Sequence, residues 1–114
     1  MRLTSLFGTN MELTDAIKLY VEERVQTLKK LTSHFESIAE LRAELGKTSK
    51  HHAKGPYFFA EFHLDTPGTT LNAKAEGEDL YAVIDEVKDD LKRQLVSRKE
   101  KQKDLKRQTR PGKE

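Results

Sequence analysis

Tyr81, Lys88, Lys92 and Lys99 follow one another at intervals of seven, four and seven residues. On a helix that steps about 100° per residue, these four side chains fall within about 40° of one another. A row of ammonium groups attracts phosphates by Coulomb force and by release of condensed counterions, and a tyrosine ring among them can stack on a sugar or a base. The row also has a plain structural reading, because lysines commonly flank an apolar stripe and cover it with their methylene stems. Arg24, close to the stripe of an earlier helix, can snorkel in the same way. Lys29 and Lys30 fall at the negative end of that helix, where cations are favoured without any ligand.

Other chemistry finds little support. His51 and His52 sit in the basic stretch from Lys47 to Gly55. Adjacent histidines point apart in extended chain, and no carboxylate or third histidine is close in sequence, so no metal site is expected. His34 and His63 are single residues, read as surface or strand-face side chains. There is no cysteine, which removes disulfides, thiolate metal ligands and a thiol nucleophile. No Gly-rich phosphate loop and no serine in a nucleophile elbow occurs. The carboxylates read as surface charge, with nothing to raise one towards general acid work. The expectation is a binding protein without catalysis, metal or cofactor.

The elements that must position these residues follow from apolar spacing. Arg2 to Phe7 reads as a strand ending at Gly8, with its inward face undetermined. Leu13-Thr14-Asp15 has the chemistry of a helix start: a capping hydroxyl, an acid for the positive helix end, and a leucine to staple the first turn. Ile17, Val21, Val25 and Leu28 form one stripe of a helix reaching about Leu31. From Ile38 to Leu45 the period becomes two, with Ala39, Leu41, Ala43 and Leu45 alternating with charged residues. Tyr57 to Asp65 alternates again through Phe58, Ala60, Phe62 and Leu64. Thr66-Pro67-Gly68-Thr69 is turn chemistry that returns Thr70 to Glu76 antiparallel, with Leu71, Ala73 and Ala75 inward. A final helix starts near Glu78-Asp79 and buries Leu80, Val83, Ile84, Val87, Leu91 and Leu95.

The order is β-α-β-β-β-α, an α+β domain over residues 1–97. A parallel crossover and a meander give a four-stranded mixed sheet with both helices on one face. Residues 98–114, with one large apolar residue in Leu105, read as a frayed helix and then a basic, disordered tail.

Composition agrees with one modest core. The 114 residues are 35% hydrophobic and 35% charged, with eight aromatics. The net charge of +2 conceals a split: −4 over residues 1–87 and +6 over residues 88–114. Such asymmetry suggests a polyanion partner. The longest apolar run, Tyr57 to Ala60, is far short of the ~20 residues of a membrane helix. The start lacks the apolar stretch of a secretory signal. A soluble, cytoplasmic protein with no membrane partner is expected.

The segment Ala75-Glu76-Gly77-Glu78-Asp79-Leu80-Tyr81-Ala82-Val83-Ile84-Asp85, with Leu91-Lys92-Arg93-Gln94-Leu95 after it, resembles the final helix of the bacterial ribosome hibernation promoting factors, in the ribosome-associated inhibitor or sigma-54 modulation protein family. Gly8 to Ile17 resembles their first strand-to-helix junction, and the likeness spans roughly residues 1 to 100. It implies a domain that occupies the decoding channel of the small ribosomal subunit, excludes messenger and transfer RNA, and keeps idle ribosomes inactive. The implied partners are that subunit and its ribosomal RNA, with a second hibernation factor as a candidate helper and a monomer off the ribosome. Family RNA-facing positions match Arg24, Lys30 and Arg93; Lys92 stands beside them. Where the family often has Lys before the Leu-x-Arg-Gln-Leu run, this chain has Asp90, and Lys88 is the candidate replacement. The loop from Gly46 to Pro56 is longer and more basic than the family pattern. The length implies the short form, without the carboxy-terminal domain that pairs ribosomes and without an acidic tail.

Two rival readings predict different behaviour. A free structured-RNA-binding domain would bind RNA apart from ribosomes. A protein-interaction module using the exposed sheet face (Glu40, Arg42, Glu44, Tyr57, Phe59, Glu61, His63) would bind independently of salt and nuclease.

Overall fold

The computed structural model describes residues 1–30, 39–48 and 57–108, the last ten as helix backbone alone. The elements are β1 (Arg2–Thr9), α1 (Asp15–Lys29), β2 (Glu40–Lys47), β3 (Phe58–Thr66), β4 (Thr69–Gly77) and α2 (Leu80–Gln108). The strands lie in the order β1-β2-β3-β4, with β1 parallel to β2 and the other neighbours antiparallel. This is the α+β arrangement that the apolar spacing implies.

Local chemistry sets the boundaries. The Thr14 hydroxyl accepts the Ile17 amide at 3.2 Å, satisfying one of the free donors at the start of α1. Asp79 plays the same part for α2, its carboxylate accepting the Tyr81 amide at 3.0 Å. Between β3 and β4, Pro67 presets the turn and Gly68 adopts φ +87°, a conformation that L side chains rarely take. β1 is less regular. Its pairing with β2 shifts register between Leu3 and Ser5, which lets Leu3 and Leu6, three residues apart, both pack on the core. The Thr4 hydroxyl at this irregularity donates to the Leu41 carbonyl at 3.4 Å.

One layer of side chains joins sheet and helices. Leu41, Ala43, Leu45, Ala60, Phe62, Leu64 and Ala73 meet Ile17, Val21, Val25 and Leu28 of α1 and the six-residue stripe of α2, all buried. Leu71 and Ala75 are only half-buried because β4 is an edge strand. α2 ties that edge down. Gln94 donates to the Asn72 carbonyl at 2.7 Å, and Arg98 donates to the Thr66 hydroxyl at 2.6 Å at the end of the hairpin. The helix then runs on to Gln108, into the stretch read from sequence as frayed helix and tail; residues 109–114 lie outside the described residues.

Candidate nucleic-acid interface

Where α1 and α2 lie side by side, four side chains form a connected cluster. Tyr20 and Arg24 are one helical turn apart, so the Arg24 guanidinium lies over the Tyr20 ring, 4.1 Å from its centroid. Asp85 of α2 accepts the Arg24 Nε–H at 2.8 Å and the Tyr20 hydroxyl at 2.9 Å. Tyr81 stands nearly perpendicular to Tyr20, with ring centroids 4.7 Å apart. Burial alone would raise the Asp85 carboxyl, but hydrogen bonds from Arg24 and Tyr20 and the charges of Arg24 and Lys88 outweigh it and hold it below the usual carboxylate value. Burial and the bond to Asp85 push the Tyr20 phenol up, and the same carboxylate raises the Arg24 guanidinium. At neutral pH the cluster is therefore a carboxylate, a neutral phenol and a guanidinium.

The remaining cations named from sequence occupy several surfaces. Lys88 lies beside this cluster with its side chain only 19% exposed, its ammonium 2.6 Å from Asp89. Its stem covers the apolar stripe while its charge stays at the surface. Lys92 is exposed one turn further along α2. Arg93 is also exposed but about 100° further round the helix, paired loosely with Asp90 at 3.5 Å. Lys92 and Arg93 share a shallow depression with Asp89, Val96 and Ser97. On α1, Lys29 lies across the helix from the cluster, in a hollow with Arg2, Glu22 and Glu23. Lys30 is exposed at the end of α1. The structure thus groups Arg24, Tyr81, Lys88 and Lys92 along the helix pair, sets Arg93 on an adjoining face, and separates Lys29 from them. The side chain of Lys99, and His34, His51 and His52, lie outside the described residues.

Tyr20 and Asp85 are absent from the sequence reading of the site. Asp85 sits about 20° from Lys92 on the wheel of α2, where it looks like an interruption of the basic row. The detectable signal was on α1, where Tyr20 and Arg24 at i and i+4 make an aromatic–cation pair.

The uncovered sheet face is mixed in charge and largely paired within itself. Arg42 meets Asp65 at 3.4 Å, His63 meets Glu61 at 3.2 Å, and Lys74 lies 3.8 Å from both Glu61 and Glu76. Phe59 lies against Gly46: a Cβ built on Gly46 would be 2.7 Å from its ring. Its ring thus covers a side-chain-free stretch of β2. Among the described residues, no group of three or more potential ligands could hold a metal ion, and no helix is long and apolar enough to cross a membrane.

Fold and surface together define a small α+β domain whose paired helices present cations and aromatic rings on one side and whose sheet is open on the other. The chain belongs to the family described as Sigma 54 modulation protein / S30EA ribosomal protein, whose model matches residues 5–103. It is 35% identical over 108 residues to the ribosome hibernation promoting factor of Azotobacter vinelandii, an alignment covering 95% of this chain and 92% of that one. It is 32% identical over 99 residues to the factor of the same name from Escherichia coli strain K12, covering 87% and 95%. The crystal structure of the N-terminal domain of Thermus thermophilus Protein Y is similar with a TM-score of 0.67 at 33% identity, covering 83% of this chain and 96% of that domain.

Proposed function

We propose that the protein is a ribosome hibernation factor of the cytoplasm, acting by occupancy and without chemistry. It binds the decoding region of the small ribosomal subunit, sets the cations of its helix pair against ribosomal RNA phosphates, and excludes messenger and transfer RNA from idle ribosomes. Phosphate contacts position a protein without reading sequence, which suits a plug. The observation that carries this reading is the extent of the family match: residues 5–103 include α1, all but the last five residues of α2 and every cation of the candidate surface. The free protein is taken as a monomer whose residues 98–114 form a basic extension of the domain, with a second hibernation factor as its candidate partner on the subunit.

A sucrose gradient of ribosomes with and without the protein, run at two salt concentrations, tests the proposal. The expected result is migration with the small-subunit fraction in dilute buffer and release at higher salt. Protein that stays at the top of the gradient in dilute buffer would refute it. Binding to protein-free structured RNA as tight as to subunits would favour the free-RNA rival. The sheet-face rival is less well supported, because Asp65, Glu61 and Glu76 already lie near Arg42 or Lys74, the Thr9 hydroxyl donates to Glu44, and the Phe59 ring lies against Gly46.

A further inference from the structure

Resting on the ribosome-binding reading, we infer that Asp85, an acid within a phosphate-facing surface, is a positioning residue that presents Arg24 to a single phosphate of the RNA backbone. The atoms involved suggest it. Arg24 meets Asp85 through its Nε–H, at 2.8 Å, and its other hydrogen-bonding neighbour is Tyr20. A guanidinium bound through Nε keeps the Nη pair, which can bridge two phosphate oxygens. The Tyr20 ring beneath it fixes the plane of the fork, and the Tyr20 hydroxyl donates to the same carboxylate, 2.9 Å from both of its oxygens. Arg24 is thereby held in one orientation while 31% of its side chain remains exposed. Lys88, near Asp85, and the 40%-exposed Tyr81, against Tyr20, border the cluster, a second cation for the phosphate and a ring for the attached sugar or base. Holding the fork in place before binding removes the rotamer entropy that a free arginine loses when it captures an anion.

The inference predicts the opposite sign to simple electrostatics. Removing a negative charge from a surface that binds a polyanion should tighten binding by Coulomb attraction. If Asp85 positions Arg24, Asp85→Asn must weaken it. The measurement is titration of small ribosomal subunits with the labelled full-length chain across a salt series, comparing wild type, Asp85→Asn, Arg24→Ala, Arg24→Lys and the double variant Asp85→Asn/Arg24→Ala. Asp85→Asn is expected to bind about tenfold more weakly, a step of about 1.4 kcal/mol. Its salt slope should fall by about 0.9, the loss of one phosphate contact. Arg24→Lys keeps the charge but has no fork, and should lose nearly as much as Arg24→Ala. The double variant should match Arg24→Ala, since Asp85 would act only through that side chain. Asp85 is 42% exposed, so the Asn variant is expected to stay folded at the assay temperature with a somewhat lower thermal midpoint, and Arg24→Lys tests the same point should it not. Equal or tighter binding by Asp85→Asn, or full binding by Arg24→Lys, would overturn the inference while leaving the ribosome reading intact. Failure of the wild type to bind would take both down.

Discussion

Replacing Lys88, Lys92 and Arg93 together with glutamine tests whether α2 grips a polyanion, and the geometry sets the size of the effect. Five described cations lie on the helix pair and its adjoining face: Arg24, Lys30, Lys88, Lys92 and Arg93. At about 0.9 log units of affinity per log unit of salt for each phosphate met, five contacts give a slope near −4.5. Between ~50 and ~200 mM salt, affinity should then fall about 500-fold. The triple glutamine variant retains two contacts, so its slope should be near −1.8 and its affinity should fall only about 12-fold over the same range. Stability should change little. The pairs that Lys88 makes with Asp89 and Arg93 with Asp90 are surface contacts, each worth at most about 1 kcal/mol, and glutamine keeps part of the Lys88 stem over the apolar stripe. The assay is fluorescence titration of small ribosomal subunits over a salt series, with a thermal melt of each protein. An unchanged salt slope in a variant that melts like wild type would refute the assignment of these side chains to phosphates.

The fold makes predictions of its own. Phe62 is fully buried at the centre of the sheet, so Phe62→Ala should cost about 3–5 kcal/mol in a denaturant titration, and a loss under about 1 kcal/mol would contradict the packing. Gly46→Ala should destabilise by about 1–3 kcal/mol, because the added methyl would collide with the Thr9 carbonyl oxygen, which the pairing of Thr9 with Gly46 keeps from retreating; stability equal to wild type would show that β1 is not seated there. The lowered carboxyl of Asp85 stabilises the fold above the ordinary aspartate value, and that contribution is lost as pH falls through the lower folded-state value. The stability difference between wild type and Asp85→Asn should accordingly be flat at neutral pH and shrink below about pH 4; a difference that persists unchanged to about pH 2 would refute the pairing.

Much of this architecture was legible because its elements obey one period each. β2 and β3 alternate cleanly, since one face meets helices and the other meets solvent, and the stripes of α1 and α2 repeat at helical spacing with capping residues where the pattern begins. β1 was not legible in the same way. Leu3 and Leu6 cannot share a face of a regular strand, and only the register shift between Leu3 and Ser5 brings both inward. An extra residue in one strand has no signature in apolar alternation. β4 was read as inward at Leu71 and Ala75, and both do pack against the core, but its edge position leaves them half-exposed, and strand order is a property of the sheet that no single strand records.

The site shows the same division more sharply. A wheel drawn on one helix groups Tyr81, Lys88 and Lys92 correctly because their mutual positions depend on that helix alone. It cannot interpret Asp85, whose meaning is fixed by residues 61 and 65 positions earlier in the chain. Seen on α2 alone, Asp85 dilutes a basic row. Set against α1, it is the acceptor that joins Tyr20 and Arg24 across the helix pair. Net charge is therefore a poor guide to which side chains on such a surface assist binding. An acid that fixes the direction of a guanidinium can add more affinity than its own charge removes, because repulsion at the surface is screened by water and salt while the orientation of the fork decides whether two bonds form or one.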